Sequence, residues 1–195
     1  MQIITYIILA CWAVFILFWS VSAFNVKRDI DRDRNPWRRL AWLRIVIFVV
    51  IIIFLLNRTS LAKLTYYWGS FRSFHSNFTF ALLGAILCVL GIALAVWARV
   101  HLGRNWSSHP NLKEDHELIT SGPYQLVRHP IYTGISAAML GTAFVFPAWR
   151  TLFFVAAFFI FIWRIKVEED IMTKQVPNQY PEYKKRTWAL VPWVW

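Results

Sequence analysis

Long apolar runs alternate with short polar stretches along the chain, and their lengths set the architecture. Residues 3–24, 40–56 and 78–98 are nearly unbroken apolar sequence, close to the roughly 20 residues an α-helix needs to cross bilayer hydrocarbon. Two further runs, 131–146 and 151–167, are separated only by a turn around Pro147-Ala148-Trp149-Arg150, which predicts an antiparallel helical hairpin. The pattern predicts an all-α integral membrane protein with five transmembrane helices. Its first run has no basic residue ahead of it and exceeds the usual apolar core of a leader. It therefore reads as a span, although Ser20-Val21-Ser22-Ala23 has the small residues of a cleavage site.

Composition agrees with this class and excludes others. Of 195 residues, 58% are apolar, 16% are charged and twelve are Trp, which is membrane composition. The 21 Lys and Arg against 10 Asp and Glu give a net charge of +11, a balance that could serve a nucleic-acid binder. No basic stripe lies on a soluble element, however, so nucleic acid is excluded as a partner. The basic residues instead flank the apolar runs. Six fall in 25–39, four in 99–130 and six from Arg164 onward, whereas Arg58, Lys63, Arg72 and Arg150 fall on the opposite side. Cytoplasmic loops carry the excess of Lys and Arg. The amino terminus is thus expected outside, with the 99–130 segment and the carboxyl-terminal tail together in the cytoplasm. Asn57 to Asn77 becomes an exterior loop whose Tyr66, Tyr67, Trp68, Phe71 and Phe74 suit an interfacial layer. Cys11 and Cys88 lie mid-run with no metal-ligand or disulfide spacing, so they read as apolar filler and no metal is expected.

The chemistry concentrates in Ser121-Gly122-Pro123-Tyr124-Gln125-Leu126-Val127-Arg128-His129-Pro130-Ile131-Tyr132-Thr133-Gly134. Gly122-Pro123 is a turn signal and Pro130 suits the first position of a helix. Tyr124, Arg128, His129 and Tyr132 put dense hydrogen-bonding capacity beside lipid. Within the helix that follows, Gly134 with Ala138 and Ala137 with Gly141 form small-xxx-small pairs that let another backbone approach. The expected partner is the last helix, rich in Phe153, Phe154, Phe158, Phe159 and Phe161, which would bring Arg164 and Glu168 near Tyr132 and His129. Arg164 and Glu168 are four apart and share a helix face. Taken alone, that juxtamembrane cluster reads first as the place where a helix leaves lipid. Tyr180, Tyr183, Trp188, Trp193 and Trp195 read as interfacial anchors, and Lys184-Lys185-Arg186 as a contact to anionic membrane lipids.

Gly-Pro-Tyr (122–124), Arg-His-Pro-x-Tyr-x-Gly (128–134), Arg-x-x-x-Glu-Glu (164–169) and Tyr-Pro-Glu-Tyr-Lys-Lys (180–185), followed by Pro192, resemble the isoprenylcysteine carboxyl methyltransferase family. The likeness runs from about Arg99 to Pro192, and the first half resembles the family only in being membrane helices. It divides the chain into helices 1–3 within residues 1–98 and a catalytic region, 99–195, with a cofactor-binding loop at 99–130. The resemblance implies S-adenosyl-L-methionine as cofactor, enclosed by His116, Glu117, Leu118, Ile119, Tyr124, His129, Pro130, Ile131, Tyr132 and Glu168. It implies that Arg164 and Asn105 contact a lipidic or prenylated acceptor and that Arg164 and Glu168 act at the reacting centre. With an amine acceptor, which must lose a proton, Glu168 or Glu169 becomes a candidate base. His109 stands where relatives place a glutamine, a departure from the family pattern.

Physically the set is coherent, because aromatic faces attract a sulfonium and a carboxylate suits a cationic group. The absence of Gly-x-Gly-x-x-Gly excludes the dinucleotide fingerprint of soluble folds. The expected activity is methyl transfer to the carboxylate of an isoprenylcysteine-like lipid, at a site facing the cytoplasm of a multi-pass membrane protein. Two alternatives stay open. A phospholipid amine N-methyltransferase shares the Glu-Glu ending, and an NADPH-dependent sterol-type reductase carries a similar Arg-His-Pro-x-Tyr-x-Gly segment but a different tail.

Overall fold

The computed structural model describes residues 2–22, 77–106, 118–145 and 148–194. The expected span at 40–56, the loops at 25–39 and 57–76, and His109, His116 and Glu117 lie outside the described residues. Among the described residues the fold is all-helical, with α1 at Gln2–Ser22, α2 at Phe78–Leu102, α3 at Pro130–Ala143, α4 at Ala148–Gln175 and α5 at Tyr180–Arg186. They all fall within one compact unit.

α1 and α2 are long and apolar enough to cross a membrane. At 25 residues α2 is about 38 Å long. It starts at Asn77, whose side-chain oxygen accepts the Thr79 N–H at 2.9 Å, a cap for one of the orphan donors of the first turn. Leu82, Leu83, Ile86, Val89 and Leu90 on α2, like Ile3, Val14 and Leu17 on α1, are exposed. Such residues are stable facing hydrocarbon and would be a liability facing water. α3 has 14 residues and starts at Pro130, whose missing N–H costs nothing there.

The core is the antiparallel contact of α2 with α3, made by glycine. A Cβ on Gly91 would lie 2.5 Å from the Gly134 carbonyl oxygen and from the Ala138 nitrogen, and one on Gly84 would lie 2.5 Å from the Gly141 oxygen. The two backbones therefore touch at two points two turns apart, with Cys88, Ala95 and Ala138 buried between them. This corrects the expectation that α3 pairs through its small residues with the Phe-rich last helix. α2 carries its own small stripe at Gly84, Cys88, Gly91 and Ala95, and only small residues on both sides allow such closeness. Phe158 and Phe159 of α4 are exposed instead.

α1 closes one side of this pair. Trp12 Nε1 donates to Thr142 Oγ1 at 2.9 Å, and that hydroxyl donates to the Ala138 carbonyl at 2.7 Å. Both polar groups are thereby satisfied inside an apolar core. At the other end, Arg99 is almost fully buried, and it donates to the carbonyls of Ser22 and Gly103, each at 2.7 Å, while stacking 4.5 Å over the Trp106 ring. The guanidinium ties the end of α1 to the end of α2.

Candidate active site

Backbone geometry shapes the polar stretch. Gly122 has φ +60, and a Cβ there would lie 2.8 Å from the His101 ring, so both conformation and space require glycine. A short 3-10 turn, Gly122–Gln125, follows. Tyr124 is buried in it, stacked on His101 with centroids 6.4 Å apart, and its hydroxyl lies 3.4 Å from the Ala98 carbonyl. Burial, with the neighbouring Tyr183, pushes that hydroxyl far above its ordinary range. His101 and Ser121 are hydrogen-bonded at 2.8 Å.

The carboxyl-terminal tail is laced onto this stretch. Arg128 N–H donates to Trp188 O at 2.8 Å, Trp188 N–H to Leu126 O at 3.2 Å and His129 N–H to Ala189 O at 3.1 Å. An isolated parallel bridge pairs Val127 with Trp188. Thr133 Oγ1 donates to Leu190 O, and the Tyr183 hydroxyl to Tyr124 O, each at 2.7 Å. Tyr180 and Tyr183 are therefore buried, at 3% and 5% exposure, and correct the reading of both as interfacial anchors. Their hydroxyls have lost water as a partner and the tail has gained them as plugs.

Side chains from α3 and α4 converge beside the tail. Tyr132 donates its hydroxyl to Glu168 Oε1 at 2.6 Å, and Arg164 Nη2 reaches the same oxygen at 3.1 Å. The Arg164 guanidinium lies 5.9 Å from the Tyr132 ring centroid. His129 stacks on Tyr132 at 5.8 Å, and Phe161 covers the ring from α4 at 5.0 Å. His129 Nδ1 stands 3.7 Å from Glu168 Oε2. Glu168 and Arg164 keep about a quarter of their side chains exposed, at 24% and 29%, so the cluster can be reached.

One turn face away, Glu169 is 8% exposed and surrounded. Its Oε1 accepts Arg128 Nε at 2.7 Å and its Oε2 accepts Lys184 Nζ at 2.6 Å. His129 Nε2 is 3.5 Å away, within ion-pair reach but not aligned as a hydrogen bond, and it is buried without a hydrogen-bond partner. Burial pushes the Glu169 carboxyl up, but His129, Lys184 and Arg128 together outweigh it and hold the group at about 2.

The structure thus brings Tyr132, His129, Arg164, Glu168 and Glu169 into one cluster, with Pro130 buried beneath and Ile131 half-buried on the same first turn. Tyr124 is held by α2 and the tail. Leu118 and Ile119 are half-buried where the polar stretch resumes. Asn105 ends the turn after α2, with its carboxamide oxygen buried and without a hydrogen-bond partner. Two residues left out of the sequence-implied site matter here, and the pairing of Lys184 with Glu169 corrects its reading as a lipid contact. Arg128 carried a signal, as the residue before His-Pro, whereas Lys184 was hidden in a run of three basic residues.

The donor set fits the cofactor the sequence implies. Glu168 Oε2 accepts no hydrogen bond among the described residues, so it can take a cationic group. Tyr132 offers an aromatic ring whose face attracts a cation, and Glu168 beside it keeps 24% of its side chain exposed.

An all-helical arrangement with a polar cluster where α3, α4 and the tail meet is the class this fold defines among the described residues, and it has a solved counterpart. The structure of the eukaryotic intramembrane Ras methyltransferase ICMT (isoprenylcysteine carboxyl methyltransferase) superposes with a TM-score of 0.57 at 23% identity. The alignment covers 84% of this chain and 55% of that one. Residues 82–174 match the family model described as the isoprenylcysteine carboxyl methyltransferase (ICMT) family, and the chain is related to that family. Protein-S-isoprenylcysteine O-methyltransferase of Dictyostelium discoideum is 31% identical over 142 residues, covering 70% of this chain and 60% of that protein. Protein-S-isoprenylcysteine O-methyltransferase B of Arabidopsis thaliana is 32% identical over 115 residues, 57% of this chain and 58% of that protein. The Schizosaccharomyces pombe protein of the same name is 34% identical over 131 residues, 63% of this chain and 55% of its own length. The chain thus spans less than two thirds of each of these relatives.

Proposed function

We propose that the chain is an integral membrane S-adenosylmethionine-dependent methyltransferase that esterifies the carboxylate of a lipidic, isoprenylcysteine-like acceptor. The observation that carries the reading is the shared hydrogen bonding of Tyr132 and Arg164 to Glu168, at the end of α4 where apolar sequence gives way to charge. The names of the matched relatives support the carboxylate as acceptor. The lengths of the apolar runs support five transmembrane helices, and the distribution of basic residues supports an amino terminus outside and the site in the cytoplasm.

S-adenosylmethionine supplies a methyl group already activated by the sulfonium charge. The protein's task is therefore alignment, in which positioning alone is worth several kcal/mol. Glu168 presents a carboxylate to the cationic donor, with Tyr132 and Arg164 fixing its Oε1 and the His129 ring beside its Oε2. Arg164 orients the acceptor, whose carboxylate can be gripped by a planar guanidinium. An acceptor carboxylate arrives ionised at neutral pH, so no general base is required. Apolar surface on α1, α2 and α4 admits a lipid-anchored acceptor from the bilayer side.

The test is methyl transfer by the purified protein in nanodiscs. A farnesylated cysteine with a free carboxylate should be methylated, and phosphatidylethanolamine should not. Methylation of the amine lipid alone would replace this acceptor assignment.

A further inference from the structure

Adjacent glutamates on α4 face different structures, and the difference divides their work. Glu168 meets Tyr132 and Arg164, which belong to the accessible cluster. Glu169 meets Arg128 from the polar stretch and Lys184 from α5, with His129 at its edge. Arg128 extends that link, since its Nη1 also donates to the carbonyls of Lys184 and Thr187. One carboxylate therefore gathers three segments distant in sequence: the stretch before α3, α4 and the tail.

Resting on the methyltransferase reading above, we infer that Glu169 is a positioning residue: it fastens the carboxyl-terminal tail over residues 124–133 and so holds His129 and Tyr132 where the donor binds. Three observations carry this. Both Glu169 oxygens are engaged by cations and the residue is buried, so the carboxylate is turned to the tail and not to the accessible cluster. The Arg128 side chain is only 8% exposed, so it depends on that carboxylate for compensation. The backbone of Arg128 and His129 is paired with Trp188 and Ala189, so displacing the tail displaces the two residues that open α3. His129 is the hinge of the arrangement, with one ring nitrogen facing each glutamate.

A positioning role and a base role give opposite kinetics. In nanodiscs, Glu169→Gln should raise the KM for S-adenosylmethionine and the Kd for S-adenosylhomocysteine at least tenfold. Its kcat at saturating donor should stay within about threefold and keep the wild-type pH profile, because a lost general base costs roughly 100-fold or more. The variant should also be cut faster by trypsin after Lys185 and Arg186, and S-adenosylhomocysteine should slow that cutting in the wild type. Lys184→Met removes only the half-exposed partner and should move donor affinity and trypsin cleavage the same way, to a smaller extent. It stands in where Glu169→Gln does not fold.

Collapse of kcat with unchanged donor affinity would overturn the inference, as would wild-type affinity and wild-type trypsin resistance in folded variants of both kinds. If the wild type binds no S-adenosylhomocysteine, the methyltransferase reading fails. Trypsin cleavage of the variants then still decides whether Glu169 holds the tail.

Discussion

Gly91 and Gly134 meet backbone to backbone: a Cβ on either would stand 2.5 Å from the carbonyl oxygen of the other. This contact sets the height of α3 against α2, and with it the position of His129 at the N-cap and of Pro130 and Tyr132 in the first turn of α3. Packing in the apolar core and geometry in the polar cluster are thereby one problem.

Gly134→Leu is predicted to abolish the native helix pair, since backbone atoms cannot yield as a flexible side chain can. Gly134→Ala should destabilise by about 1–3 kcal/mol, the usual scale of overpacking. Thermal unfolding in detergent checks both, and an unchanged midpoint for Gly134→Leu would contradict the packing described.

Gly122→Ala should loosen the polar stretch for two reasons, the positive φ and the His101 ring 2.8 Å from the added Cβ. A cost of at least about 1 kcal/mol is expected. Because the turn holds Tyr124 and carries no charge, the variant should lose S-adenosylhomocysteine affinity without altering the pH dependence of turnover.

Tyr132→Phe removes one charge-assisted hydrogen bond to Glu168 and keeps the ring. Such a bond is worth about 1.5–3 kcal/mol, so S-adenosylhomocysteine affinity should fall roughly tenfold or more. Arg164→Ala should leave that affinity within about threefold and lower turnover at least 100-fold. Isothermal titration beside initial rates separates the two effects.

Acid stability should report on Glu169, whose carboxyl titrates at about 2 in the fold against an ordinary 4.5. A depressed carboxyl stabilises the fold above its ordinary value and loses that contribution as pH falls from 4.5 through 2. The facing charged groups are Arg128, His129 and Lys184. The stabilisation from these ion pairs should disappear across this window. Glu169→Gln should flatten the wild-type decline in unfolding midpoint between pH 5 and 3.

The helical class was legible because apolar run length reports membrane helices directly. The site was legible where chemistry lay close in sequence: His129 and Tyr132 open one helix, and Arg164 and Glu168 lie one turn apart on another. What the sequence hid depends on pairing across the chain. Small residues on α3 announce a close neighbour without naming it, and the Phe-rich last helix was the wrong one. The stripe at Gly84, Cys88, Gly91 and Ala95 held the answer. Tyr180 and Tyr183 illustrate a second limit, because an aromatic near a membrane end has the same composition signal whether it anchors to headgroups or is folded under a tail. Lys184 shows a third: its pairing with Glu169 comes from α5 folding back onto α4, which no local pattern encodes.

The central claim is that the Tyr132–Glu168–Arg164 cluster serves a methyl donor, and calorimetric titration of the folded protein with S-adenosylhomocysteine, with NADPH as the comparison ligand, tests it most directly. Saturable binding of S-adenosylhomocysteine alone, weakened by Tyr132→Phe, is the predicted result. Binding of NADPH alone would contradict the account and make the protein a reductase.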